Sequence, residues 1–132
     1  MDRLFLDANV LFSAAYRPAS GLLLLWKLES ILCSSRYALE EARINLTEEG
    51  QQTRLARLAE VVKLFEPSER TLPSGISLPE KDQPILLAAM EAQATHLLTG
   101  DVRHFGQCFG KRIEGIAVML PGEYLRRFSR SE

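Results

Sequence analysis

Short apolar runs alternate along this chain with stretches of helical spacing, and polar or Gly/Pro-containing turns lie between them. Leu4-Phe5-Leu6 begins just after the N-terminus and ends at Asp7, which predicts a buried parallel strand. Asn9 then opens a helix or turn, since its side chain can accept a bond from an unpaired backbone amide. Arg17-Pro18-Ala19-Ser20-Gly21 predicts a turn or helix start, and Leu22 to Glu29 a helix. Ile31-Leu32-Cys33 reads as a second strand. Ser34 or Ser35 caps the next helix, in which Ala38, Ala42 and Leu46 recur at helical spacing with Leu39 on the same face. Gly50 breaks that pattern, an amphipathic helix covers about Gln51 to Leu58, and Val61 to Phe65 reads as a third strand.

Pro67 to Pro79 holds Ser, Gly and three prolines and predicts a loop. Asp82 to Ala94 is rich in alanine and leucine, with Pro84 suited to the first turn of a helix. Thr95-His96-Leu97-Leu98 is a strand that runs into Thr99-Gly100-Asp101. A glycine-containing loop leads to the last strand, Gly115 to Leu120, and Pro121 starts a terminal helix that ends in Arg126, Arg127 and Arg130. Strands alternating with helices predict an α/β fold whose parallel sheet is covered on both faces. Sheets of that kind take ligands at the carboxyl ends of their strands, where the strand order reverses. Asp7 ends the first strand and Asp101 follows the fourth, so neighbouring positions for these strands would bring both carboxylates into one crevice.

At 132 residues, with no repeat, low-complexity tract or linker, the chain is expected to form one domain. A composition 46% hydrophobic and 25% charged supports a real core. No apolar run approaches the roughly 18 residues needed to span a bilayer, and MDRLFLDANV lacks the features of an export signal. Cys33 and Cys108 show no metal-ligand spacing, so a cytoplasmic protein is expected rather than a disulfide or zinc framework. A net charge of −1 argues against a module that only grips nucleic-acid phosphates, but leaves room for an enzyme that handles them through a cation.

Most of the 17 acidic residues belong on a solvated surface. Asp7 stands out at a strand end, with helix capping as its simpler explanation. Asp101 follows a strand and a glycine, where a turn role competes. Capping explains Asp82 equally well. Of Glu40 and Glu41, the latter sits beside the Ala38/Ala42 stripe, but periodicity does not separate them. His96 reads as structural, His104 as a loop histidine without a task, and the terminal arginines as a solvated helix rather than RNA contacts.

Four segments together resemble the PIN domain family: LFLDANVL at 4–11, ALEEARINL at 38–46, DQPILLAA at 82–89 and HLLTGD at 96–101. The resemblance runs along almost the whole chain. It implies a three-layer α/β/α sandwich with a central parallel sheet of four to five strands in the order 3-2-1-4-5. It assigns Asp7, Glu41, Asp82 and Asp101 to the acidic set, Asp7, Asp82 and Asp101 as metal ligands, and Asn9 and Thr99 as polar support. It also implies a Mg²⁺- or Mn²⁺-dependent endoribonuclease, the toxin of a bacterial toxin–antitoxin pair, with an RNA substrate, a small antitoxin partner and a homodimer. The chain departs from the pattern at Arg103, where many members carry a further acid two positions after the last aspartate, and in being less basic than many toxins.

Charge repulsion gives an independent reason to expect a cation. Two carboxylates ~5 Å apart at an effective dielectric of ~20 repel by about 3 kcal/mol. Four in one pocket therefore need either protons or a hard ion, and oxygen ligation selects Mg²⁺ or Mn²⁺ over zinc. Two alternatives remain: a non-catalytic PIN domain that binds a partner, and a phosphatase of the haloacid-dehalogenase type, which LDANVL also resembles. The second needs another aspartate two residues after Asp7, where Asn9 stands.

Overall fold

The computed structural model describes residues 1–131, with side chains to residue 127. Arginine 130, one of the terminal arginines weighed for RNA contact, has its side chain outside the described residues. The strands are β1 (Arg3–Leu6), β2 (Ile31–Ser34), β3 (Lys63–Leu64), β4 (His96–Leu98), β5 (Arg112–Ile113) and β6 (Ile116–Met119). They form one sheet in the order β3-β2-β1-β4-β6-β5. Every pairing is parallel except β5 with β6. The parallel part has the expected order 3-2-1-4-5, with β6 as its fifth member.

The extra edge strand was not foreseen. Glu114 (φ 52°) and Gly115 (φ 82°) form a two-residue turn with both residues left-handed, which folds β5 back on β6. Gly115 therefore belongs to the turn, and the strand starts at Ile116.

The helices are α1 (Ala8–Tyr16), α2 (Arg36–Asn45), α3 (Glu49–Ala59), α4 (Gln83–Glu91), α5 (Val102–Phe105) and α6 (Pro121–Ser131). α1 packs against α2 and α3. Right-handed crossovers put these helices on one face and α4, which carries the chain back across β1, on the other. The result is a three-layer α/β/α arrangement. No helix of the described residues is long and apolar enough to cross a membrane. Cys33 and Cys108 are buried and free.

Several elements differ from their sequence reading. Gly21–Lys27 is a 3-10 helix, shorter than the helix expected to Glu29; Ser20 caps it through the amide of Leu22, and only Leu25 is buried. The strand expected over Val61–Phe65 shrinks to β3, because α3 runs to Ala59 and a turn from Ala59 to Val62 uses up the first residues. β3 lies at the sheet edge with both side chains exposed. α4 stops at Glu91, three residues early. The amide of Ala94 bonds the carbonyl of Ala89 and that of Gln93 bonds Met90, with Gln93 at φ 53°, a left-handed helix stop that usually employs glycine. Ser35, not Ser34, caps α2, accepting from the amide of Ala38; Ser34 instead donates to the carbonyl of Leu6 at 2.8 Å.

The core is centred on β1 and β4. Leu4, Phe5, Leu6, Leu97 and Leu98 are all fully buried. Phe5→Ala removes one ring from the middle of this layer and is expected to lower unfolding free energy by about 3–5 kcal/mol, read from urea denaturation. A loss below about 1 kcal/mol would mean that the core is not built around this strand.

Candidate metal centre

β1 and β4 run side by side, with Leu6 paired to Leu98, so the next residues, Asp7 and Thr99, emerge together at their carboxyl ends. Asp7 is 5% exposed and Thr99 fully buried. The Thr99 hydroxyl donates to Asp7 Oδ2 at 2.7 Å and accepts from the Asp101 amide at 3.0 Å. One hydroxyl thus ties the ends of both strands together and links Asp7 to Asp101. Asp7 Oδ1 accepts from the Ala8 amide at 2.7 Å, so Asp7 caps α1 and faces the crevice at once. Capping α1 and standing near the other acids are compatible, since the charges of Asp82 and Glu41 both act on Asp7.

Asn9 braces this arrangement. Its Nδ2 donates to Asp7 Oδ2 at 3.2 Å, and its Oδ1 accepts from the Gly100 amide at 2.7 Å. A Cβ on residue 100 would stand 3.2 Å from Asn9 Oδ1, so glycine permits this close approach. Both ends of the Asn9 amide are engaged, and an amide is no general acid, so Asn9 does not supply the second acid that phosphatase chemistry requires.

Asp82 lies in a 3-10 turn (Glu80–Asp82) just before α4, 8% exposed, and its side chain makes no capping bond. Its Oδ2 lies 3.0 Å from His104 Nδ1. That nitrogen has a single hydrogen at most, and Asp101 Oδ2, at 2.8 Å, is the aligned partner. Asp82 Oδ2 is thereby left buried without a hydrogen bond. Asp101 caps α5, accepting from the His104 amide at 3.1 Å.

Among the described residues, Asp82, Asp101 and His104 form a group whose donor atoms all lie within 4.8 Å of one another. Two carboxylate oxygens, one of them orphaned, and a ring nitrogen fit a divalent cation, and this group can hold one. His104 is the residue that sequence reasoning set aside. The sequence signal was its place three residues after Asp101 at a helix start, where a side chain returns over the capping residue. Arg103, one position earlier, points into solvent.

Glu41 lies on α2 across a cleft of about 310 Å³ that Ala8, Asn9, Phe12 and Asn45 also line. Glu40 turns outward and pairs with Arg43 at 2.5 Å, a contact that holds its carboxyl below the usual range. The two neighbours, inseparable by periodicity, thus have different surroundings. A second cleft, of about 450 Å³, shares Asn9 with the first and is lined by Gly100, Asp101 and Pro121. Tyr37 donates to the carbonyl of Lys81 at 2.8 Å, fastening α2 to the turn that carries Asp82.

The negative charges feel one another. Burial chiefly, then Asp82 and Glu41, raise the Asp7 carboxyl to about 6, against the opposing bonds from Thr99 and Ala8. Burial also raises Asp82; His104 offsets part of that, and Asp101 adds to it. Away from the site, His96 bonds Thr95 at 2.8 Å and meets Tyr124 edge-on, and burial lowers its pKa, in keeping with a structural role. Arg127 pairs with Glu123.

No protein-family model and no curated protein matches the sequence. In fold, the chain is similar to a chain in the structure of FitAB bound to an IR36 DNA fragment. The TM-score is 0.54 and identity 18%, with 89% of this chain and 94% of the other covered.

Folding raises Asp7 from its ordinary 3.8 to about 6, so the folded chain holds this proton more tightly than the unfolded one. The stabilisation is complete below about pH 4 and is lost as pH rises through about 6, a change of about 3 kcal/mol at most. Without divalent cations, Asp7→Asn is therefore expected to be about 2 kcal/mol more stable than wild type near pH 7.5, the gap closing towards pH 4. Thermal unfolding across that range measures it. A variant less stable than wild type at neutral pH would refute the idea that Asp7 is held under electrostatic strain.

Proposed function

We propose that the protein is a metal-dependent endoribonuclease that hydrolyses RNA phosphodiester bonds with Mg²⁺ or Mn²⁺. The observation that carries this reading is the buried, hydrogen-bond-free Oδ2 of Asp82 beside Asp101 and His104, with Asp7 raised chiefly by its burial and further by Asp82 and Glu41. Such a set of groups is relieved by a cation, and a cation at a strand-end crevice is suited to a phosphate.

In this reading Asp82 and Asp101 hold the ion, and Asp7, fixed by Thr99 and Asn9, completes the acidic wall. When bound, the ion offsets phosphate charge and acidifies a water. Glu41, which lines a cleft with Asn9, would orient the attacking water and take its proton. In this reading an extended strand would run along the two clefts that share Asn9, passing beside Glu41 and Asp101. With a chain of net charge −1, substrate affinity then depends on the ion more than on a basic surface.

The biological setting follows from the PIN resemblance: a cytoplasmic toxin, homodimeric, restrained by a small antitoxin. That setting accords with a fold shared by a chain of FitAB bound to DNA, a likeness of architecture.

Labelled single-stranded RNA incubated with Mg²⁺ or Mn²⁺ is expected to be cut by the wild type, with the rate falling on the order of 100-fold in Asp101→Asn and with chelation abolishing it. Equal residual cutting by both proteins would indicate contamination and defeat the proposal. Turnover of a small phosphomonoester with RNA left intact would replace it with the phosphatase.

A further inference from the structure

His104 adds a nitrogen to a site otherwise made of oxygen. Its backbone is held in place twice: the His104 amide bonds Asp101 Oδ1 at 3.1 Å, and the adjacent Phe105 is fully buried. Nδ1 then lies 2.8 Å from Asp101 Oδ2 and 3.0 Å from Asp82 Oδ2. In an octahedral shell with bonds of about 2.1–2.2 Å, neighbouring donors stand about 3.0 Å apart. The nitrogen already has the spacing of a neighbouring donor to each oxygen, all three atoms lie within 4.8 Å of one another, and they come from two separate segments, the start of α4 and the turn after β4. Asp82 Oδ2 is buried and lacks any hydrogen bond that an ion would have to displace. Exposed Arg103 offers no donor at the position where the resembled family places an extra acid, and the donor comes one residue later.

We propose that His104 Nδ1 is a direct ligand, with Asp82 and Asp101, of a divalent ion, and that this nitrogen makes the site prefer Mn²⁺ to Mg²⁺. The inference rests on the reading that Asp82 and Asp101 bind a cation. Mg²⁺ is hard, favours oxygen and gives up water reluctantly, whereas a first-row transition ion accepts imidazole and carboxylate together. Ligation requires the lone pair of Nδ1, so the neutral ring carries its proton on Nε2.

Electron spin-echo spectroscopy of Mn²⁺ added to the purified full chain tests the bond without reference to RNA. Wild type is expected to show nitrogen modulation from a coordinated imidazole, and His104→Gln, checked for folding by its thermal transition, to lose it. Mn²⁺ affinity is expected to fall at least about tenfold in the variant and Mg²⁺ affinity, measured by competition, less than about threefold. Stoichiometric Mn²⁺ without nitrogen modulation in wild type would overturn His104 ligation while leaving the carboxylate site standing, and equal losses for both metals would overturn the preference for Mn²⁺. Failure of wild type to bind Mn²⁺ at all would overturn the cation reading and this proposal with it.

Discussion

Negative charge held out of water at the ends of two neighbouring parallel strands is the constraint to which the surrounding structure answers. β1 and β4 deliver Asp7 and Thr99 side by side, and burial raises the Asp7 carboxyl to about 6 even though a hydroxyl and an amide each donate to it. An isolated buried carboxylate would simply keep its proton. Here a network of donors keeps the ionised form within reach of neutral pH. Removing a donor would leave a carboxylate uncompensated, so Thr99, Asn9 and Gly100 matter to the site without being able to act as acids or bases themselves.

Helix starts contribute to the same end. Asp7 caps α1, and Asp82 precedes α4, helices of nine residues each, whose N-terminal amides favour negative charge nearby. Asp101 caps the single turn of α5. The loops after β1 and β4 and before α4 thus bring three acids to three helix beginnings. The balance is incomplete at Asp82, whose orphaned oxygen marks where further positive charge fits. Stability withheld at such a point is a common feature of sites that bind something.

Fold alone would not support a functional reading, since one architecture serves many chemistries, and at 18% identity the likeness to FitAB speaks only to architecture. The chemistry rests on this chain's own carboxylates and imidazole. His104 shows the value of that distinction. It belongs to no segment that carried the family resemblance, yet its Nδ1 stands within direct hydrogen-bond distance of both Asp82 and Asp101.

By itself the sequence determined the alternation of strands and helices and the strand-end placement of Asp7 and Asp101, which follow from apolar periodicity written locally along the chain. The order of the parallel strands was implied by the family resemblance, and the parallel part of the sheet has that order. Element ends were less legible: the stop at Gln93, the edge position of β3 and the β5–β6 hairpin depend on single backbone conformations that composition does not announce. Which side chains meet was decided only by tertiary structure. Glu41 faces the cleft while Glu40 pairs with Arg43, Asp82 forgoes its cap, and His104 turns back over Asp101, because rotation about a helix axis and the path of a loop fix those meetings. Spacing along a chain sets which residues share a face; only the packing of one face against another sets what that face touches.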